Sequence, residues 1–296
     1  MTATPRIRPA RRAAQVAAAT VVVVVIVVVI GFLADNVAAS RAEHRLAAAV
    51  EQSAGVRFEP EVTIGGFPFL TDTSGPFPSI LVSARGVRVG GCGDRGECTV
   101  TMDARLGDAA TGSIWEVDAD TEIAAGSVDA ETRIDSVNLG RLMGITDLYI
   151  NTPGPEDKAG AGGPGDGLVE RTDGIMLSGT VPFPGSPERQ GQYPPSAVEY
   201  TAAKAKVSVS AKVFVGDDGR VHIEATKLYD GPEMHYSDDV PAEFYAHVLD
   251  RFSAVLPVLP MAWNVAADKA LSRGSDLIVA GNTKSRIVKP RDFHGR

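Results

Sequence analysis

Residues Glu61 to Asp72 read EVTIGGFPFLTD. Val62, Thr63 and Ile64 have the character of a short strand. Gly65-Gly66 then permits a change of backbone direction that side chains would forbid. Phe67 and Phe69 flank Pro68, and Leu70 follows. Pro68 biases Phe67 away from helical angles, so the stretch is expected to stay extended. On pattern alone this is a strand that bends and plugs two aromatic rings into a core.

The run Val62, Ile64, Gly65, Gly66, Phe67, Pro68, Phe69, Leu70 and Thr71 resembles the signature of the LmeA-like phospholipid-binding family of actinobacterial cell envelopes. In that family too the segment follows a membrane-proximal helix. Weaker resemblance covers most of the rest, including a late Leu-Pro and a terminal hairpin. Asp72 stands where the family often carries Gln. The resemblance implies an extracytoplasmic, non-enzymatic phospholipid-binding module with a tubular-lipid-binding (TULIP-like) fold. It also implies an association with lipomannan or lipoarabinomannan biogenesis, whose lipid anchor is based on phosphatidylinositol. The competing expectation is a scaffold or chaperone-like partner of a membrane glycosyltransferase, without lipid cargo.

Upstream, Arg6, Arg8, Arg11 and Arg12 precede an apolar, mostly valine run from Val16 to Leu33. At 1.5 Å per residue that run reaches about 27 Å, close to the hydrocarbon thickness of a bilayer. Only a helix satisfies a lone spanning segment in lipid. The arginines on its N-terminal side predict that the rest of the chain lies outside the cytoplasm, on the outer face of the plasma membrane. Val37-Ala38-Ala39 could serve as a cleavage site, so a removed signal peptide and a retained anchor both stay open. The expected organisation is a basic cytoplasmic tail (1–12), an anchor or signal segment (13–34) and one lipid-binding domain (35–290).

Of the 296 residues, 29 are basic and 37 acidic. Residues 1–36 hold four arginines and one aspartate, which leaves 25 basic and 36 acidic residues beyond them, a net of −11. A nucleic-acid partner would require the opposite balance. Two cysteines, Cys92 and Cys98, lie in GGCGDRGEC. In an oxidising compartment this pair is expected to form a disulfide closing a hairpin loop. A metal site needs further ligands, and no nearby histidine supplies them.

A helix is expected from Asp35 to Ala54, ending at Gly55. Strands follow. In Ser79 to Val89, Ile80 and Val82 alternate with Leu81 and Ser83, and in Thr99 to Leu106 the residues Val100, Met102, Ala104 and Leu106 share one face. A long strand or strand pair is expected from Glu116 to Ile134, with Glu116, Asp118, Asp120 and Glu122 on its wet face. Ser136 to Gly144 reads as a short helix capped by Asp135 or Ser136. Residues 151–167 and 182–195 read as flexible loops around the strand Gly174 to Val181. Val207 to Val215 and Arg220 to Tyr229 form a hairpin. A second helix is expected from about Val240 to Leu256, then strands at Met261 to Ala267 and Asp276 to Val288. The order helix, strands, helix, strands predicts an α+β fold, a long curled antiparallel sheet wrapped on one or two helices.

No catalytic motif stands out. The five histidines fall in no metal spacing, and no G-x-S-x-G elbow occurs. His247 is expected to make surface contacts with Glu243 and Arg251, four residues to either side. What remains is apolar: Phe67, Phe69, Leu70, Phe244, Val248, Phe252, Met261 and Trp263 are the candidate lipid-binding residues. The same pattern also describes a dry core. Arg85 or Arg88 would meet a phosphate at the mouth.

Overall fold

The computed structural model describes residues 9–66, 68–71, 73–152, 170–171, 174–184, 203–231 and 234–295. Helix α1 (Pro9–Glu51) is continuous. Its N-terminal part is wholly exposed, and it is long and apolar enough to cross a membrane. Its C-terminal part packs on the domain through Ala42, Leu46, Ala49 and Val50, all buried. The boundaries expected at 12/13 and 34/35 both fall inside this helix.

The architecture is α+β and antiparallel. One sheet has the order β1 (Glu61–Ile64), β2 (Phe77–Val89), β3 (Cys98–Ala109), β4 (Ile123–Asp135), β12 (Asp276–Val288), β11 (Lys269–Arg273) and β6 (Glu170–Arg171). The other has the order β10 (Ala254–Val255), β9 (Val221–Leu228), β8 (Lys204–Val215), β7 (Ile175–Pro182) and β5 (Tyr149–Asn151). Both sheets are open, and buried residues from both join one hydrophobic core.

The period-2 patterns explain the faces. Val100, Met102, Ala104 and Leu106 are all buried, as are Val128, Ala130, Thr132 and Ile134 on the paired strand. In β2, Ile80 and Val82 point inward and Leu81 outward. Gly86, at φ 69°, shifts the β2–β3 register between Ala84 and Val87, which returns Val87 to the buried face. Helix α2 (Ser136–Met143) starts where the Asp135 carboxylate accepts the Asn138 N–H at 2.7 Å. It stops at Gly144, which is left-handed. The Cys92–Cys98 disulfide closes the β2–β3 connection.

Four expectations are corrected. Glu116 to Glu122 is not strand: a 3-10 turn covers Ile114–Glu116, and the Asp118 carboxylate accepts from the Asp120 N–H and the Thr121 hydroxyl, holding a turn that ends the alternation. The second main helix, α3 (Tyr245–Arg251), is less than half its expected length. Pro257 offers no N–H to continue it and favours extended angles at Leu256, and Ala254–Val255 instead pair with β9. Met261 to Ala267 is a 3-10 turn at Ala262–Asn264, with Trp263 and Asn264 at φ 51° and 54°. The hydrogen bond from the Trp263 indole to the Lys289 carbonyl, 2.9 Å, holds that geometry. The polar partner of His247 is neither Glu243 nor Arg251: its Nε2 lies 3.0 Å from the Pro182 carbonyl oxygen. Most of the two expected flexible loops lies outside the described residues, and Pro182 itself belongs to β7.

Candidate functional site

The Gly-Gly pair releases the chain from β1 toward α1. The Gly65 N–H still pairs with the Ser79 carbonyl, at 2.7 Å, and a side chain on Gly65 would strike the Ser79 hydroxyl. Gly66 sits at φ 131°. The chain then makes a 3-10 turn at Phe69–Thr71, where the sequence predicted extended backbone. The cause lies on α1: the Asp35 carboxylate accepts the Leu70 N–H at 2.8 Å. Asp35 is only 6% exposed, so this bond offsets the cost of burying it. About two turns further along α1, Glu43 accepts the Ile64 N–H at 2.9 Å. Two acids on α1 therefore fix the signature segment to the helix.

Phe67 lies outside the described residues. Phe69 is buried, stacked on Phe77 with centroids 5.8 Å apart and edge-on to Trp115 at 5.5 Å. Each such ring pair contributes about 0.5–1.5 kcal/mol beyond area burial. Leu70, the next residue, is 49% exposed. It borders a groove of about 570 Å³ with Trp115 and with Ile30, Leu33, Ala34, Val37, Ala38 and Arg41. The α1 positions recur at three- and four-residue spacing, so they form one helix face.

The other candidates sit elsewhere in the core. Phe244 packs on Phe183 with centroids 5.0 Å apart. Val248 and Phe252 have no accessible surface, and Phe252 lies near Gly179, where an added side chain would strike Ile145. Met261 is buried with its sulfur 3.4 Å from the Thr132 hydroxyl. Trp263 is buried edge-on to Phe293 at 5.1 Å. Val248, Phe252, Met261 and Trp263 belong to the common core, half-buried Phe244 packs against it, and Leu70 is the most exposed of the described candidates. The groove face of α1, with Trp115, escaped the sequence reading. The 3.6-residue spacing of Ile30, Leu33, Val37 and Arg41 was its signal, hidden because every residue around it is apolar.

Both arginines expected at a lipid mouth sit beside acids on the exposed surface. Arg88 pairs with Glu97, and Arg85 faces Glu61 at 3.6 Å. Desolvation opposes the Glu97 charge, but the hydrogen bond and charge of Arg57 and the charge of Arg88 outweigh it and hold its pKa below the usual carboxylate value. A second groove, about 530 Å³, crosses the outer face of β1 to β4 over Leu81, Val82 and Ala104. Its rim carries Glu61, Asp103, Asp129 and Glu131 against Arg105, a poor setting for an anionic headgroup. Among the described residues no three His, Cys, Asp or Glu side chains are grouped to hold a metal ion.

The protein is an α+β domain of two open antiparallel sheets, cored with aliphatic and aromatic side chains and preceded by a helix long and apolar enough to cross a membrane. The model of the LmeA-like phospholipid-binding family matches residues 33–282, and the chain belongs to that family. The family is a lipid-binding one, which supports a lipid-binding, non-enzymatic role. No curated protein and no solved structure matches the chain.

Proposed function

We propose that this protein binds a phospholipid while held to the plasma membrane by α1, with its domain on the extracytoplasmic side, and that it serves the biogenesis of phosphatidylinositol-based glycolipids of the lipomannan and lipoarabinomannan type. The family match over residues 33–282 carries the reading. Hydrophobic burial supplies the affinity: each methylene removed from water contributes about 0.8 kcal/mol, so acyl chains bind without specific polar chemistry. The four arginines before the apolar span support the orientation. Retention of α1 is favoured by its packing, because cleavage after Ala39 would remove Asp35 from Leu70 and strip the helix wall from the groove.

Lipid extraction and mass spectrometry of the purified full chain test this. Phospholipid recovered in a fixed ratio to protein, with phosphatidylinositol enriched over its share of the membrane, is the expected result. A lipid-free protein that co-purifies with a membrane glycosyltransferase would overturn it in favour of a scaffold.

A further inference from the structure

The groove beside Leu70 occupies an informative level on α1. Its floor continues the apolar run that ends at Leu33, and Val37, 53% exposed, extends that surface past Asp35. Arg41 closes the far end. Helical side chains lean toward the helix N-terminus, so the Arg41 guanidinium is carried back along α1 toward Val37 and the apolar span. Arg41 makes no ion pair or hydrogen bond with any described residue. Trp115 flanks the groove, and tryptophan favours the boundary between headgroups and acyl chains. The groove volume falls in the usual range for ligand clefts.

A second cation lies toward the same end. The β-ladder aligns Phe77 with Ala109, and Ala125 with Arg286, and an isolated bridge joins Ala110 to Ala124. Arg286 therefore lies three strands from β2 near the sheet end that carries Phe77, on which Phe69 stacks. Asp108 is exposed at this end as well, and Asp120 and Glu122 are paired with Arg291 and Lys289.

Resting on the lipid-binding reading above, we infer that this groove is a lateral port. A phospholipid of the leaflet on the domain's side lays an acyl chain along Leu33, Val37 and Leu70 and sets its phosphate on Arg41, without leaving the bilayer for water. The Asp35–Leu70 bond keeps the two walls in register.

The test uses the full chain in vesicles of phosphatidylcholine and phosphatidylglycerol, doped with phosphatidylglycerol bearing a photoreactive diazirine on one acyl chain. Cross-links are mapped to peptides beyond α1. The wild type is expected to label the peptides holding Leu70 and Trp115. Val37→Phe fills the groove from an exposed position, and Arg41→Glu repels the phosphate. Each is expected to cut that labelling roughly tenfold, the scale of a lost charged hydrogen bond, at an unchanged melting temperature. Equal labelling in both variants would reduce the contact to mere nearness to the bilayer and overturn the port. Labelling confined to peptides holding Val248 and Phe252, indifferent to both variants, would overturn the port and leave lipid binding standing. No labelling beyond α1 in the wild type would overturn lipid binding itself.

Discussion

Asp276 opens β12 with its carboxyl half-buried, and desolvation, reinforced by the nearby Asp135 charge, raises its pKa against the pull of Arg133 and Arg273. The folded state therefore holds this proton at pH values where the unfolded chain has lost it. Stability falls as pH rises from the unfolded value toward the raised folded one, and the penalty stays constant above both. Asp276→Asn is expected to raise the melting temperature at pH 7 and to leave it unchanged at a pH below both values, as a pair of thermal melts would show. Val248 lies at the opposite extreme, apolar and without accessible surface. Val248→Trp is expected to overpack the core and cost about 1–3 kcal/mol, seen as a lower melting temperature. An unmoved melting temperature with bound phospholipid lost would instead place Val248 against lipid. Single residues whose role is local were readable in advance: Asp135 and Gly144 bound α2 through contacts a few residues long. Asp35 was not, because its partner Leu70 is 35 positions away.

At the level of elements, strand periodicity carried most of the information, and β12 spans the expected residues from Asp276 to Val288. The failures share a cause. Asp118, Pro257 and Trp263 each impose a hydrogen bond or a φ angle that overrides a local pattern. The short strands β5, β6 and β10 are held by neighbours distant in sequence, which no window of residues reveals. The β2–β3 connection combines both kinds of control, since its disulfide is local while Arg57 and Arg141 reach Glu97 from afar. Replacing Cys92 and Cys98 together by serine is expected to cost about 2–3 kcal/mol by loop-closure entropy, measured by denaturant unfolding. The unreduced, denatured wild type is expected to show no free thiol by alkylation and mass spectrometry.

For the molecule as a whole, composition and the first 36 residues announced an acidic domain behind an apolar span, and the signature at Val62–Thr71 lies within the stretch that matches its family. The site was less legible. The sequence offered a stripe of large apolar residues, and the fold buries most of those described while presenting a surface at Leu70, Val37 and Trp115. The proposed orientation predicts that a reporter fused after Arg296 is active only if it works outside the cytoplasm. Activity of a cytoplasm-only reporter would reverse it. Retention of α1 predicts that intact-mass analysis of the mature protein finds no species beginning at Ser40.

On the proposed reading, in which α1 stays in the membrane, its unbroken course makes it a mast as well as a tether. From Leu33 to Glu51 it rises roughly 27 Å at 1.5 Å per residue. The domain rides on that length, pinned by Asp35 at its foot and packed along Ala42 to Val50. It has no slack with which to swing outward. Whatever the domain holds stays within about one helix length of the bilayer surface. Such a protein cannot ferry cargo across a wide gap. So anchored, and binding lipid as proposed, it would work by hand-off, the next carrier or enzyme coming to it at the membrane.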